Sequence, residues 1–151
     1  VADQREAILS RLVTVCGAVQ GMQAAARNKL DVPALARPAV IVQDGAETLL
    51  DAPGTGRNAA RRLCRMELSP LVVVIVRGDN GAEAGSLITL YRNRIVAAVL
   101  GDTQLNDSVV DGGIRYEGIS VAAPDAEARE YRGEFNLVFT SLFRLSDLAG
   151  V

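Results

Sequence analysis

Apolar residues recur every three or four positions over residues 2–19: Ile8, Leu12, Val15 and Val19 form a stripe, widened by Leu9, Val13 and Cys16. That period predicts an amphipathic helix, with Asp3 as its N-cap and Gln4, Arg5, Ser10 and Arg11 on the opposite side. Gly17 and Gly21 bracket its exit, where glycine can take the left-handed conformation that ends helices. Residues 22–27 fit either a short strand or a continuing turn. Residues 28–38 hold Pro33, Pro38 and several charges without a sustained period, so they read as a loop covering part of the surface.

A strand is predicted at 39–43, a turn at Asp44-Gly45 and a returning strand at 47–50, together a hairpin. The glycines and proline of residues 52–58 mark a loop with little to bury. Residues 61–76 read as a long strand, ending in a β-branched run from Leu71 to Val76 that suits a position covered on both faces. Pro70 interrupts that strand, which predicts a bulge or an edge position. A second helix is predicted over 83–100, with Ile88, Tyr91, Ile95 and Val99 inward and Arg92, Asn93 and Arg94 outward. Strands follow at 114–121, closed by the turn at 123–126, and at 134–145. In the last, Phe135, Leu137, Phe139, Ser141, Phe143 and Leu145 alternate with Glu134, Asn136, Val138, Thr140, Leu142 and Arg144. These two strands form an antiparallel pair in the simplest arrangement. The order predicts an α+β fold: a mainly antiparallel or mixed sheet of about five strands with two helices packed on one face. The 151 residues suit one domain over 1–151, and the balance of 49% hydrophobic to 23% charged residues is that of a chain able to bury a core.

Composition narrows the chemistry. There is no histidine, which removes the commonest general acid/base and metal ligand. Cys16 and Cys64 read as buried, unlinked thiols, which fits folding in a reducing, cytosolic setting. The net charge of −2 is spread along the chain, so no global field draws it to DNA or to an anionic membrane. The polar N-terminal residues lack a signal-peptide pattern and no run is long enough to span a bilayer. The expectation is a soluble, intracellular protein.

The chemical motifs are weak. Gly54-Thr55-Gly56 is followed by Ala59 where a dinucleotide fingerprint has its third small residue, but it lies in a loop feeding a strand and not inside a βαβ unit. No phosphate-loop lysine pattern is present, so no cofactor is predicted. Asp44, Asp51, Asp102, Asp107 and Asp111 sit beside glycine or in turns, where aspartate bonds the local backbone. Ser86, Ser108 and Ser120 have no histidine to activate them, and no calcium-loop spacing occurs, so no catalytic residue or metal site is predicted. Arg57, Arg61, Arg62 and Arg65 form a cationic group suited to carboxylates of a neighbouring subunit. Phosphate contact is the alternative, weakened by the want of nearby aromatics to stack bases.

Several segments carry a resemblance. Residues 4–12, 26–29 (Ala-Arg-Asn-Lys), 37–45 (Arg-Pro-Ala-Val-Ile-Val-Gln-Asp-Gly), and 114–118 (Ile-Arg-Tyr-Glu-Gly) with the strand at 134–145 resemble the tail terminator, or tail completion, proteins of long-tailed bacteriophages. The resemblance implies a non-enzymatic virion protein, made in the host cytoplasm, whose copies form a hexameric ring. Such a ring caps the finished tail tube, meets neck or head-completion proteins on its other face, and lets DNA pass through its lumen without reading its sequence. The implied partners are therefore copies of itself, the major tail tube protein and a neck protein. The segments 31–37, with Asp31 and Arg37, and 52–62 are the candidate contacts with other rings. Another neck subunit or a tube protein is the nearest alternative, and a nucleic-acid-binding module or a small carboxylate enzyme the more distant ones.

Overall fold

The structure is a computed structural model that describes residues 4–33, 36–51, 54, 56–122 and 129–148. It is an α+β fold with one mixed sheet in the order β1-β2-β3-β5-β4. The strands are β1 (Ala24–Arg27), β2 (Ala39–Leu49), β3 (Cys64–Arg77), β4 (Ile114–Val121) and β5 (Glu130–Phe143). β1 runs parallel to β2, and every other neighbouring pair is antiparallel. Two long helices, α1 (Gln4–Gly17) and α3 (Gly81–Leu100), accompany the single-turn α2 (Arg57–Ala60), α4 (Thr103–Asp107) and α5 (Leu145–Leu148).

The apolar stripes read from the sequence are the stripes that pack. Ile8, Leu12, Val15 and Cys16 of α1, with Ile88, Tyr91, Ile95 and Val99 of α3, join the main core against Val40, Val42, Val72, Val74, Phe135, Leu137 and Phe139. Alternate residues of each strand thus face the helices, as a period of two requires. The opposite face carries a smaller cluster of Ile41, Val73 and Ile75, covered by Val32 from the segment between β1 and β2. Within the loop expected at 28–38, Val32 therefore packs on the second face of the β-branched run. The predicted N-cap Asp3 and the turn at 123–126 lie outside the described residues.

β2 corrects the predicted hairpin. Asp44-Gly45 does not reverse the chain but forms a β-bulge, where pairing moves from Gln43↔Leu71 to Ala46↔Ser69. Pro70, opposite the bulge, supplies the reason: it has no N–H to give the ladder, and an extra residue on β2 steps past it. Gly45 takes φ +68 there, and its Cα sits so close to the Ser69 carbonyl oxygen that no Cβ fits. Pro70 is thus tolerated inside a central strand, not at an edge, and its own carbonyl accepts from Asn136 Nδ2 at 3.2 Å. A second bulge lies in β4, between Tyr116↔Leu137 and Ile119↔Phe135, at Gly118 with φ +95.

The ambiguous stretch 22–27 resolves as β1, which pairs only with Ala39 to Val42 of β2. The helix predicted from residue 83 begins at Gly81, where the Asn80 side chain accepts from the Glu83 N–H at 2.9 Å. α4, absent from the sequence reading, is capped in the same way by Asp102, which accepts from the Leu105 N–H at 3.0 Å.

Candidate functional site

The six residues singled out from the sequence fall into two places. Arg37 is a structural anchor: its side chain is 4% exposed, with ion pairs to Glu130 at 2.7 Å and Asp31 at 3.1 Å. It also donates to the carbonyls of Val32, Pro33 and Ala36. Asp31 is half of that anchor. Arg132 reinforces it through the Leu30 carbonyl at 3.3 Å, and Gln43 Nε2 holds the Lys29 carbonyl at 2.8 Å. The result is a braced loop that holds up Leu30 with 90% of its surface exposed.

Arg61, Arg62 and Arg65 lie at one end of the sheet. Arg61 and Arg62 are exposed and line a shallow depression of about 470 Å³ with Gly54, Asn58 and Ala59. Neither guanidinium has a partner among the described residues. Arg65 reaches Asp51 at 3.6 Å with both side chains about half exposed, a pair worth little in water. Arg57 opens α2, and its side chain lies outside the described residues. The Gly54–Gly56 segment runs between two antiparallel neighbours, β2 and β3, and so has no βαβ setting; Thr55 lies outside the described residues.

The same end of the sheet holds something the charge pattern did not point to. Leu49, Leu50, Leu63, Leu142 and Leu145 are between 36% and 46% exposed. The register gathers them there: Leu49 pairs with Met66 and Arg65 with Leu142, while the Leu50 N–H donates to the Arg65 carbonyl at 3.0 Å. Leu49 shares the face of its core partner Met66, whereas Leu142 shares the opposite face with Arg65, so the exposed leucines lie on both faces of this end of the sheet. One signal was present in the sequence: Leu142 stands between Thr140 and Arg144 in the more polar row of the last strand.

A bare strand edge lies at the same end of the sheet. Because β1 covers only the first part of β2, residues 46–49 of β2 have no strand neighbour on their outer side among the described residues, and they are exposed. Unpaired backbone donors and acceptors on such an edge are a template for another strand.

The paired charged groups away from this end brace elements and do not converge on a cavity. Arg27 grips Asp44 at 2.7 and 3.0 Å and Glu6 at 2.7 and 3.0 Å, and these bonds hold both carboxyls below the usual carboxylate range. Arg11 grips Asp102 at 3.0 and 2.7 Å and lowers its pKa likewise. Cys16 and Cys64 are unlinked and buried, and burial pushes the Cys16 thiol up to about 12. Among the described residues no group of His, Cys, Asp or Glu is placed to hold a metal ion, and no helix is long and apolar enough to cross a membrane.

No protein-family model matches the chain, and no curated protein matches it. A solved structure described as the virion of a native gene transfer agent particle contains a similar chain, 12% identical, with 94% of this chain and 96% of that one covered and a TM-score of 0.45. A likeness of that size transfers no function.

Proposed function

We propose that the protein is a structural virion subunit that assembles with its own copies into a ring, hexameric in the simplest case, capping a phage tail tube and joining it to the neck. The observation that carries this reading is the bare β2 edge, at an end of the sheet where five leucines are exposed. Exposed apolar side chains, the cations Arg61, Arg62 and Arg65 at the same end, and backbone groups awaiting a strand suit an assembly protein. The sequence resemblance to tail terminators supplies the kind of assembly.

A ring that meets a tube on one face and a neck protein on the other needs contacts besides those between its copies. The Leu30 loop fits one of them, because an exposed apolar side chain on a braced loop loses little freedom on binding. The segment around α2 fits the other. Neither calls for a basic DNA-reading surface; a lumen passes DNA by its width.

The test is electron microscopy of the purified protein incubated with isolated tail tubes. Rings seated at one tube end are the expected result. Long cylinders formed by the protein alone would make it a tube subunit, and tubes left uncapped, with salt-sensitive DNA binding instead, would replace this reading with a nucleic-acid module.

A further inference from the structure

The two open edges of the sheet are built to meet. Among the described residues, 46–49 of β2 form one free edge, and β4, last in the strand order, forms the other. The antiparallel pairings make β2 and β5 run one way and β3 and β4 the other. When copies stand side by side in one orientation, as in any ring whose axis lies along the strands, β2 of one copy therefore meets β4 of the next in antiparallel sense.

The heights also agree. Glu47 pairs with Leu68, Leu68 with Phe139 and Phe139 with Ile114, so one row crosses the sheet from edge to edge. Cyclic symmetry about that axis repeats each copy at the same height, which sets Glu47 of one copy opposite Ile114 of the next. The bulge at Gly118 lies away from this row and leaves the start of β4 straight.

Charge points the same way. β3 and β4 run in the same direction, so the residues preceding them lie at the same end of the sheet. Arg61 and Arg62 precede β3, while Asp107 and Asp111 precede β4; all four are exposed and have no ionic partner among the described residues. Side by side, each copy brings two free cations to an end where its neighbour brings two free carboxylates.

The geometry points to a continuous intersubunit sheet, in which residues 46–49 of β2 pair antiparallel with the start of β4 of a second copy, Glu47 lying opposite Ile114. It rests on the ring reading and names the surface that closes the ring.

Cysteine cross-linking in the full chain tests it. Opposed residues of antiparallel strands have Cα atoms about 4.5 to 5.5 Å apart, within the span a disulfide bridges, and the native Cys16 and Cys64 are buried. Within one copy Glu47 and Ile114 lie on opposite edges of the sheet, so any bond between them joins two copies. A chain carrying Glu47→Cys with Ile114→Cys, oxidised alone or on tail tubes, should give a covalent ladder ending at the closed ring; Glu47→Cys with Val121→Cys, out of register, should give little. Equal ladders from both pairs, or no ladder from the first while the unmodified chain forms rings, would overturn the edge pairing and leave the ring reading standing. An unmodified chain that forms no ring even on tubes would overturn both. As a check free of cysteine, Arg61→Glu with Arg62→Glu should weaken self-association at least about tenfold, and adding Asp107→Arg and Asp111→Arg should restore it; no restoration counts against the pairing.

Discussion

Gly45 and Gly118 do the same work in different surroundings, and that contrast gives the sharpest prediction at the residue scale. Both sit at bulges with positive φ, +68 and +95. A Cβ at Gly45 would run into the Ser69 carbonyl and Pro70, whereas one at Gly118 meets nothing within 4 Å. Gly118→Ala should therefore cost only the backbone strain, about 1 to 2 kcal/mol. Gly45→Ala should cost more, about 3 kcal/mol or above, because β2 must also move away from β3. Urea denaturation of the two variants checks the order. Arg37 shows the opposite strategy, a buried charge kept because Glu130, Asp31 and three carbonyls satisfy it.

At the scale of elements, arginine braces tie α1 to its surroundings: Arg27 joins Glu6 of α1 to Asp44 of β2, and Arg11 joins α1 to the cap of α4. Glu6, Asp44 and Asp102 have pKa values lowered by these partners. A lowered carboxylate pKa adds stability that is fully present above the unfolded value, about 4, and is lost as pH falls through the folded value. The melting temperature should accordingly hold between pH 7 and about 5 and drop below about 4. Asp102→Asn keeps a good capping residue but loses the charge, so it should cost about 1 kcal/mol at neutral pH and flatten part of that acid drop. Solvent at Arg11, 35% exposed, screens the pair and keeps the figure small. An acid limb as steep in Asp102→Asn as in the parent chain would count against this brace.

The long elements were legible because their faces are sustained: the stripes of α1 and α3 and the alternation of β5 extend over many residues and each buries one side. What was missed was short or set by a neighbour. α4 buries only Leu105, too little to make a period, and the alanine-rich β1 takes its strand form from pairing with β2. The hairpin misreading came from judging Asp44-Gly45 alone, when Pro70 on the opposite strand decides between turn and bulge. At the candidate site the exposed arginines could be read from the sequence, but the five leucines come from three separate stretches of chain, and only the register of β2, β3 and β5 brings them to one end.

For the whole molecule, the unequal sheet edges matter most. One edge is half covered by the short β1 and ends in an open strand beside exposed leucines; the other is β4, bent by its bulge. Two different open edges suit a head-to-tail contact, and such a contact either closes into a ring or continues as a filament. Each copy in a closed ring makes two contacts, so an interface that is marginal for a pair suffices for the ring. The most direct measurement is the native mass of the purified protein across a concentration series, with and without tail tubes. A single closed species, six chain masses in the simplest case, formed with no ladder of larger filaments and seated on tubes when they are added, is the predicted result. A chain that stays monomeric at every concentration and ignores tail tubes would contradict the account.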